Sequence, residues 1–160
     1  MANGPSPRNL PMLLAQTRES VISNFRPILR HIGLTEQQWR ILRVLYEDSS
    51  MRPSQISEVC QILKPSLTGV LTRMEEMGLI EKQRFDNDPR QMMVACTAKG
   101  RDLVRKTMPL IEKQYAAMEE VAGQDLLSKA YAVLDQLNIA LQQHVPAIKL
   151  PRTRKAKDLE

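Results

Sequence analysis

Apolar side chains, with one threonine among them, recur at Leu10, Leu14, Thr17, Val21, Phe25, Ile28 and Ile32. Every step is three or four residues, the spacing of one face of an amphipathic helix. Pro27 lies inside the run and is expected to kink it or leave a broken hydrogen bond, because proline has no N–H to bond back along the helix. Pro5, Pro7 and Pro11 keep the first residues out of regular helix until about position 8 to 11. A second helix has a sharper start. Thr35 is a good N-cap, Gln38 three residues on completes a capping box, and Leu34 and Trp39 occupy the staple positions around it. This helix carries Ile41, Leu42, Val44 and Leu45 and is expected to end near Glu47.

From Met51 to Gly100 the pattern shortens. Pro53 opens a short helix with Ile56, Val59 and Cys60. Pro65 stands in the first turn of another, where its missing N–H would be unpaired anyway. Leu67, Val70, Leu71 and Met74 form that helix's buried stripe, and Gly78 is placed to end it. Its other face shows Ser66, Thr68, Gly69, Thr72 and Arg73. Two strands follow, Leu79 to Phe85 and Met92 to Thr97, around a charged turn with Asp88, Pro89 and Arg90. The order is a helix-turn-helix with a β-hairpin wing, which can lay one helix in a DNA major groove.

Beyond it, Thr97 can cap a long helix with Leu103, Thr107, Leu110, Ile111, Met118 and Val121 on one side and a bend at Pro109. Gly123 separates it from a last helix with Leu126, Ala130, Val133, Leu134, Leu137 and Leu141. The predicted fold class is mainly α: a winged helix-turn-helix lobe over 35–97, with long helical segments at 8–32 and 98–145. All of it reads as one domain over 1–160, with a basic, disordered tail at 146–160. The terminal helices have longer apolar faces than a small winged domain can cover. Pairing with a second copy buries them, so a homodimer is expected, which would also present two recognition helices to a pseudo-palindromic site.

Composition narrows the function. The chain of 160 residues carries a formal net charge of +5, and its last stretch accounts for +3 of it through Lys149, Arg152, Arg154, Lys155 and Lys157 against Asp158 and Glu160. The body is nearly neutral, so any DNA footprint must come from local placement of charge. No apolar run approaches the ~20 residues that span a bilayer, and no signal-peptide core is visible at the N-terminus, so a cytoplasmic protein without a membrane partner is expected. Cys60 and Cys96 fit no metal-ligand spacing and sit among apolar neighbours, where cysteine acts as a small core residue. No metal site and no cofactor are expected. Paired carboxylates, a phosphate loop and a nucleophile with its base are all missing, which argues against an enzyme.

The candidate contacts follow from chemistry. Small hydroxyl residues and Gly69 let a helix approach a groove closely, and Arg73 can reach a guanine edge or a phosphate, or else pair with Glu76 at i+3. Lys64, Lys82 and Arg84 flank the motif and suit phosphate contacts that add affinity without sequence information. Arg90 suits the negative potential of a narrow minor groove. Trp39 belongs either to the core or to the wall of an aromatic-ligand pocket. Arg18, His31, Arg40 and Arg43 lie in or near the first two helices, and an aromatic carboxylate would want one or two such groups.

With these pieces placed, the chain resembles MarR-type winged-helix transcriptional regulators over roughly residues 10 to 145. The stretches that carry the likeness are LTEQQWRILRVL, ILKPSLTGVLTRMEEMGLIEKQR, the wing DPR and the following TAKG. QQWRIL and KPSLTGVLTRME are similar to the branch that regulates homoprotocatechuate and related aromatic-acid catabolic operons. The resemblance implies a dimeric repressor released by a small, often phenolic ligand held between the dimer helices and the DNA-binding lobe. It also implies that the Pro65 to Met77 helix is the recognition helix, that Arg90 enters the minor groove, and that Asp88 holds it. The DNA-binding set is thus Lys64, Pro65, Ser66, Thr68, Gly69, Thr72, Arg73, Arg84, Asp88 and Arg90. The ligand set is Arg18, His31, Trp39 and Arg40, for a hydroxylated aromatic acid. Two alternatives stand beside this reading: a DNA-binding redox sensor acting through cysteine oxidation, and a winged-helix protein-interaction module. The cysteine-sensing branch of the family keeps its reactive cysteine near the N-terminus. This chain has none there.

Overall fold

The computed structural model describes residues 9–84 and 92–142, together with 145, 146 and 148. Helix α1 (Leu10–Ser23) starts on Asn9, whose side chain accepts from the Met12 N–H. It ends before Pro27 rather than kinking through it. Asn24 and Phe25 turn the chain with N–H bonds to Val21 and Ile22, and α2 (Arg26–His31) begins afresh with the proline in its first turn. A proline there leaves no N–H unpaired, which is why a restart takes the place of a kink or a broken hydrogen bond.

Helix α3 (Glu36–Asp48) forms with the predicted capping box: the Thr35 hydroxyl accepts from the Gln38 N–H at 3.2 Å and Gln38 Oε1 accepts from the Thr35 N–H at 2.8 Å. Leu34 and Trp39 are both buried. Then comes β1 (Ser50–Met51), which the sequence reading lacks because two residues carry no periodicity. Helix α4 (Pro53–Val59) and helix α5 (Lys64–Glu76) follow. Gly78 ends α5 as expected. At φ +68° its N–H bonds to Glu75 and the next N–H, of Leu79, reaches back to Met74, closing a Schellman turn.

Strands β2 (Ile80–Arg84) and β3 (Met92–Cys96) pair antiparallel from Ile80↔Cys96 to Arg84↔Met92. On the other side of β3, β1 pairs through Ser50↔Ala95 and Met51↔Val94, so β3 is the central strand. The core beneath the sheet gathers Ile41, Leu42, Leu45, Ile56, Leu67, Leu71, Met74, Ile80 and Val94.

Helix α6 (Ala98–Ala122) starts where Thr97 Oγ1 accepts from the Gly100 N–H at 3.1 Å, and it runs on through Pro109. Its buried stripe is Gly100, Val104, Thr107 and Ile111. Of the expected stripe, Thr107 and Ile111 are buried and Leu103 and Met118 half-buried, while Leu110 is exposed and Val121 is 91% exposed. Helix α7 (Gln124–Gln142) follows Gly123, which takes φ +82°. Neither α1 nor α7 buries a residue in the single chain. The chain forms two compact units, Met1–Ala117 and Met118–Glu160. Among the described residues no helix is long and apolar enough to cross a membrane.

Candidate nucleic-acid interface

The turn between α4 and α5 is held at both ends. Ser57 Oγ donates to the Ile62 carbonyl at 2.7 Å, the Ile62 N–H returns to Ser57, and Gln61 takes φ +51° to make the corner. From α3, Arg40 Nη1 donates to the Cys60 carbonyl at 2.8 Å. Such bonds matter because a recognition element must keep its geometry against thermal motion to read base edges.

On α5 the inner positions Leu67, Leu71 and Met74 are buried and Val70 is half-buried, while Lys64, Pro65, Ser66, Thr68, Gly69, Thr72 and Arg73 are exposed. The helix is thus anchored by one side and bare on the other. Nothing lies within 4 Å of where a Cβ on Gly69 would stand. Thr72 Oγ1 donates to the Thr68 carbonyl at 3.0 Å, so outward it offers a methyl group and an acceptor oxygen. Arg73 has no ion-pair partner among the described residues, and the alternative pairing with Glu76 is not formed.

For Lys82 a phosphate contact and a plain surface role are both open from the sequence. Its Nζ lies 2.5 Å from Glu75 Oε2, so that ammonium is already paired. Lys64 and Lys82 line one cavity of about 380 Å³ with Thr68 and Met92. Arg84 closes β2, and its strand partner is Met92. Asp88 and Arg90 lie outside the described residues.

The four ligand candidates do not converge on one cavity. Arg18 and Arg40 both reach Glu36 Oε1 and line a cavity of about 340 Å³ with Gln37, Val70 and Arg73. Trp39 is buried, and His31 is exposed at the end of α2; neither lines that cavity. Two separate contacts join α6 to the segment before α2 and to α3. Phe25 packs on Tyr115 with ring centroids 4.8 Å apart. Arg43, one turn after Trp39, places Nη1 3.2 Å from Met108 Sδ and Nη2 2.7 Å from Glu47. Reading by residue type missed these contacts, because nothing in the spacing shows that α6 supplies Met108 and Tyr115.

Both cysteines are free and buried. Burial pushes the Cys60 thiol up against the opposing pull of Arg40, and pushes Cys96 up to about 11 despite Arg101. A thiol becomes a nucleophile only as thiolate. The folded protein is therefore expected to resist iodoacetamide at pH 7.5, with both thiols reacting in 6 M guanidinium. Intact-mass spectrometry checks this, and rapid labelling of either cysteine in the folded state would contradict it.

Four likenesses complete the picture. A family model described as "MarR family" matches residues 34–92. The chain is 37% identical over 132 residues to the HTH-type transcriptional regulator FarR of Neisseria gonorrhoeae, covering 78% of this chain and 90% of the relative. It is 36% identical over 141 residues to the homoprotocatechuate degradative operon repressor of Escherichia coli, covering 86% and 95%. Among solved structures, NadR in complex with 4-hydroxyphenylacetate is similar at 34% identity with a TM-score of 0.71, covering 86% of this chain and 97% of that one.

Proposed function

The chain belongs to the MarR family of transcriptional regulators, and from that premise we propose that it is a homodimeric, cytoplasmic repressor of a catabolic or related operon, relieved by a small hydroxylated aromatic acid. The observation that carries the DNA-binding part is the two-sidedness of α5. Its inner face is fixed in the core, and its outer face is bare and made of small hydroxyl residues, a glycine and a free guanidinium. Ser66, Thr68, Thr72 and Arg73 read the major groove, Lys64, Pro65 and Gly69 set the approach, and Arg84, Asp88 and Arg90 belong to the wing beside the minor groove. Lys82 contributes less, since Glu75 neutralises it.

Dimerisation is supported by the apolar residues that single helices leave bare, Leu10, Leu13 and Leu14 on α1 and Leu126, Val133 and Leu141 on α7. A face of this kind covers itself against a copy of the same chain.

An aromatic acid needs an apolar wall for its ring and a cation for its carboxylate. The cavity lined by Arg18 and Arg40 has one aliphatic side chain, Val70. The ligand is placed instead against Trp39 and Arg43, one turn apart on one face of α3, where the indole offers the wall and the guanidinium, which also holds Glu47, the cation. The ligand chemistry itself is carried by similarity to the 4-hydroxyphenylacetate complex. Cysteine oxidation as the trigger finds no support in two buried thiols.

The test is fluorescence anisotropy on duplexes from upstream of the protein's own and neighbouring genes, against a scrambled duplex at about 150 mM salt. A preference of ~10³-fold or more is expected, and 4-hydroxyphenylacetate is expected to weaken operator binding 5- to 150-fold. Because Trp39 is the only tryptophan, its fluorescence reports ligand binding directly. Equal, weak binding to every duplex would overturn the repressor reading; a fluorescence titration unaffected by Arg43→Ala would overturn the ligand seat.

A further inference from the structure

The cavity between α1, the start of α3 and the second half of α5 is chemically unlike a seat for an aromatic ring. Three guanidinium groups line it, from Arg18, Arg40 and Arg73, against one carboxylate, Glu36. That leaves a surplus of two positive charges in about 340 Å³. Glu36 does not divide itself among them: Arg18 and Arg40 share its Oε1, the Arg40 contact being 3.4 Å. Arg40 spends Nη1 on the Cys60 carbonyl, and its Nε–H is buried without an acceptor among the described residues. The Arg73 guanidinium has no ion-pair partner among the described residues, so the cavity wall still holds donors for an incoming oxygen. The first turn of α3 adds the positive end of a 13-residue helix.

From this arrangement we propose a second effector site in which Arg18, Arg40 and Arg73 hold a small divalent oxyanion, a dicarboxylate or a phosphate. Two negative charges match the surplus, and planar forks bind such oxygens bidentately. With one aliphatic lining residue, the site rejects hydrophobic monoacids, which separates it from the aromatic seat. The anion also neutralises Arg73, so binding it antagonises DNA. This last step rests on α5 being the recognition helix; the binding itself does not.

Isothermal titration calorimetry of the full chain, at pH 7.5 and constant ionic strength, tests it with succinate and inorganic phosphate as separate probes. One saturable site per chain is expected for at least one of them, and the tighter probe assigns the source. Glu36→Gln removes the competing carboxylate and is expected to lower the Kd at least 5-fold. Gln37→Glu, at an exposed lining position, is expected to raise it at least 10-fold, and far-UV circular dichroism confirms that both variants are folded. If the ion network is only structural, Glu36→Gln leaves binding unchanged or weaker, and that result, or no saturable heat with either anion, overturns the site. Saturating anion is further expected to raise the operator Kd at least 5-fold. Unchanged operator affinity with the anion bound overturns the antagonism, whereas loss of sequence preference without any anion overturns the recognition-helix reading instead.

Discussion

Gly100→Ala is expected to destabilise the winged lobe by about 3 kcal/mol, near the upper end of overpacking effects. A Cβ at this position would stand 2.1 Å from the Leu79 carbonyl oxygen, 3.1 Å from its carbon and 3.2 Å from Leu42 Cδ1. The nearest atom is backbone and cannot swing aside. Leu79 O accepts from the Thr97 N–H, and the Leu79 N–H is committed to Met74, so both peptide units beside the clash are pinned. Alanine's better helix propensity returns only about 1 kcal/mol. Urea denaturation at fixed protein concentration measures the difference. Gly69→Ala is the control, because open space surrounds that position; the same change there should be neutral or stabilising by up to about 1 kcal/mol. Equal midpoints for wild type and the Gly100 variant would show that α6 does not seat on the β2 entrance as described.

Arg90→Ala carries the largest expected effect on function, a 10- to 100-fold loss of operator affinity with the dimer intact by size-exclusion chromatography. One good arginine contact to DNA is worth ~1–3 kcal/mol. The expectation rests on the Asp-Pro-Arg spacing at 88–90 and on what flanks it. Among the described residues the strands on either side of that stretch pair as far as Arg84↔Met92. Operator affinity unchanged in the variant, measured by anisotropy at two salt concentrations, would remove the wing from the interface. Loss of affinity together with loss of dimer would assign Arg90 to the fold instead.

The winged lobe was legible in the sequence where local chemistry and periodicity agreed. Thr35 and Gln38 name a helix start by hydrogen bonding alone, and Gly78 names a helix end by its φ. Pro27 showed that something must happen, but whether a helix bends or restarts depends on how the flanking turn is satisfied, which Asn24 and Phe25 decide. Helix α6 shows the limit of periodicity. Val104 and Ile111 face the lobe, while Leu110 and Val121 remain bare on another side. A helix with two apolar sides has two acceptable phases, and composition does not rank them. The grouping of the ligand candidates in space is a matter of helix phase. Arg18, Arg40 and Trp39 were grouped by type, yet Trp39 and Arg40, adjacent in sequence, point about 100° apart around a helix. One was taken into the core and the other into an ion network.

The two-residue strand β1 has a consequence larger than its length. By pairing with β3 it ties the residues just before α4 to the central strand of the sheet, so that in the proposed repressor the helix-turn-helix and the two wing strands act as a single caliper. In the repressor proposed above, an effector then has little purchase on the offset between the major-groove and minor-groove contacts inside a half-site. What it can alter is the interval between the two calipers of a dimer. An operator for this protein therefore holds two kinds of information: a fixed inner pattern that one copy reads, and a separation that only the pair can measure.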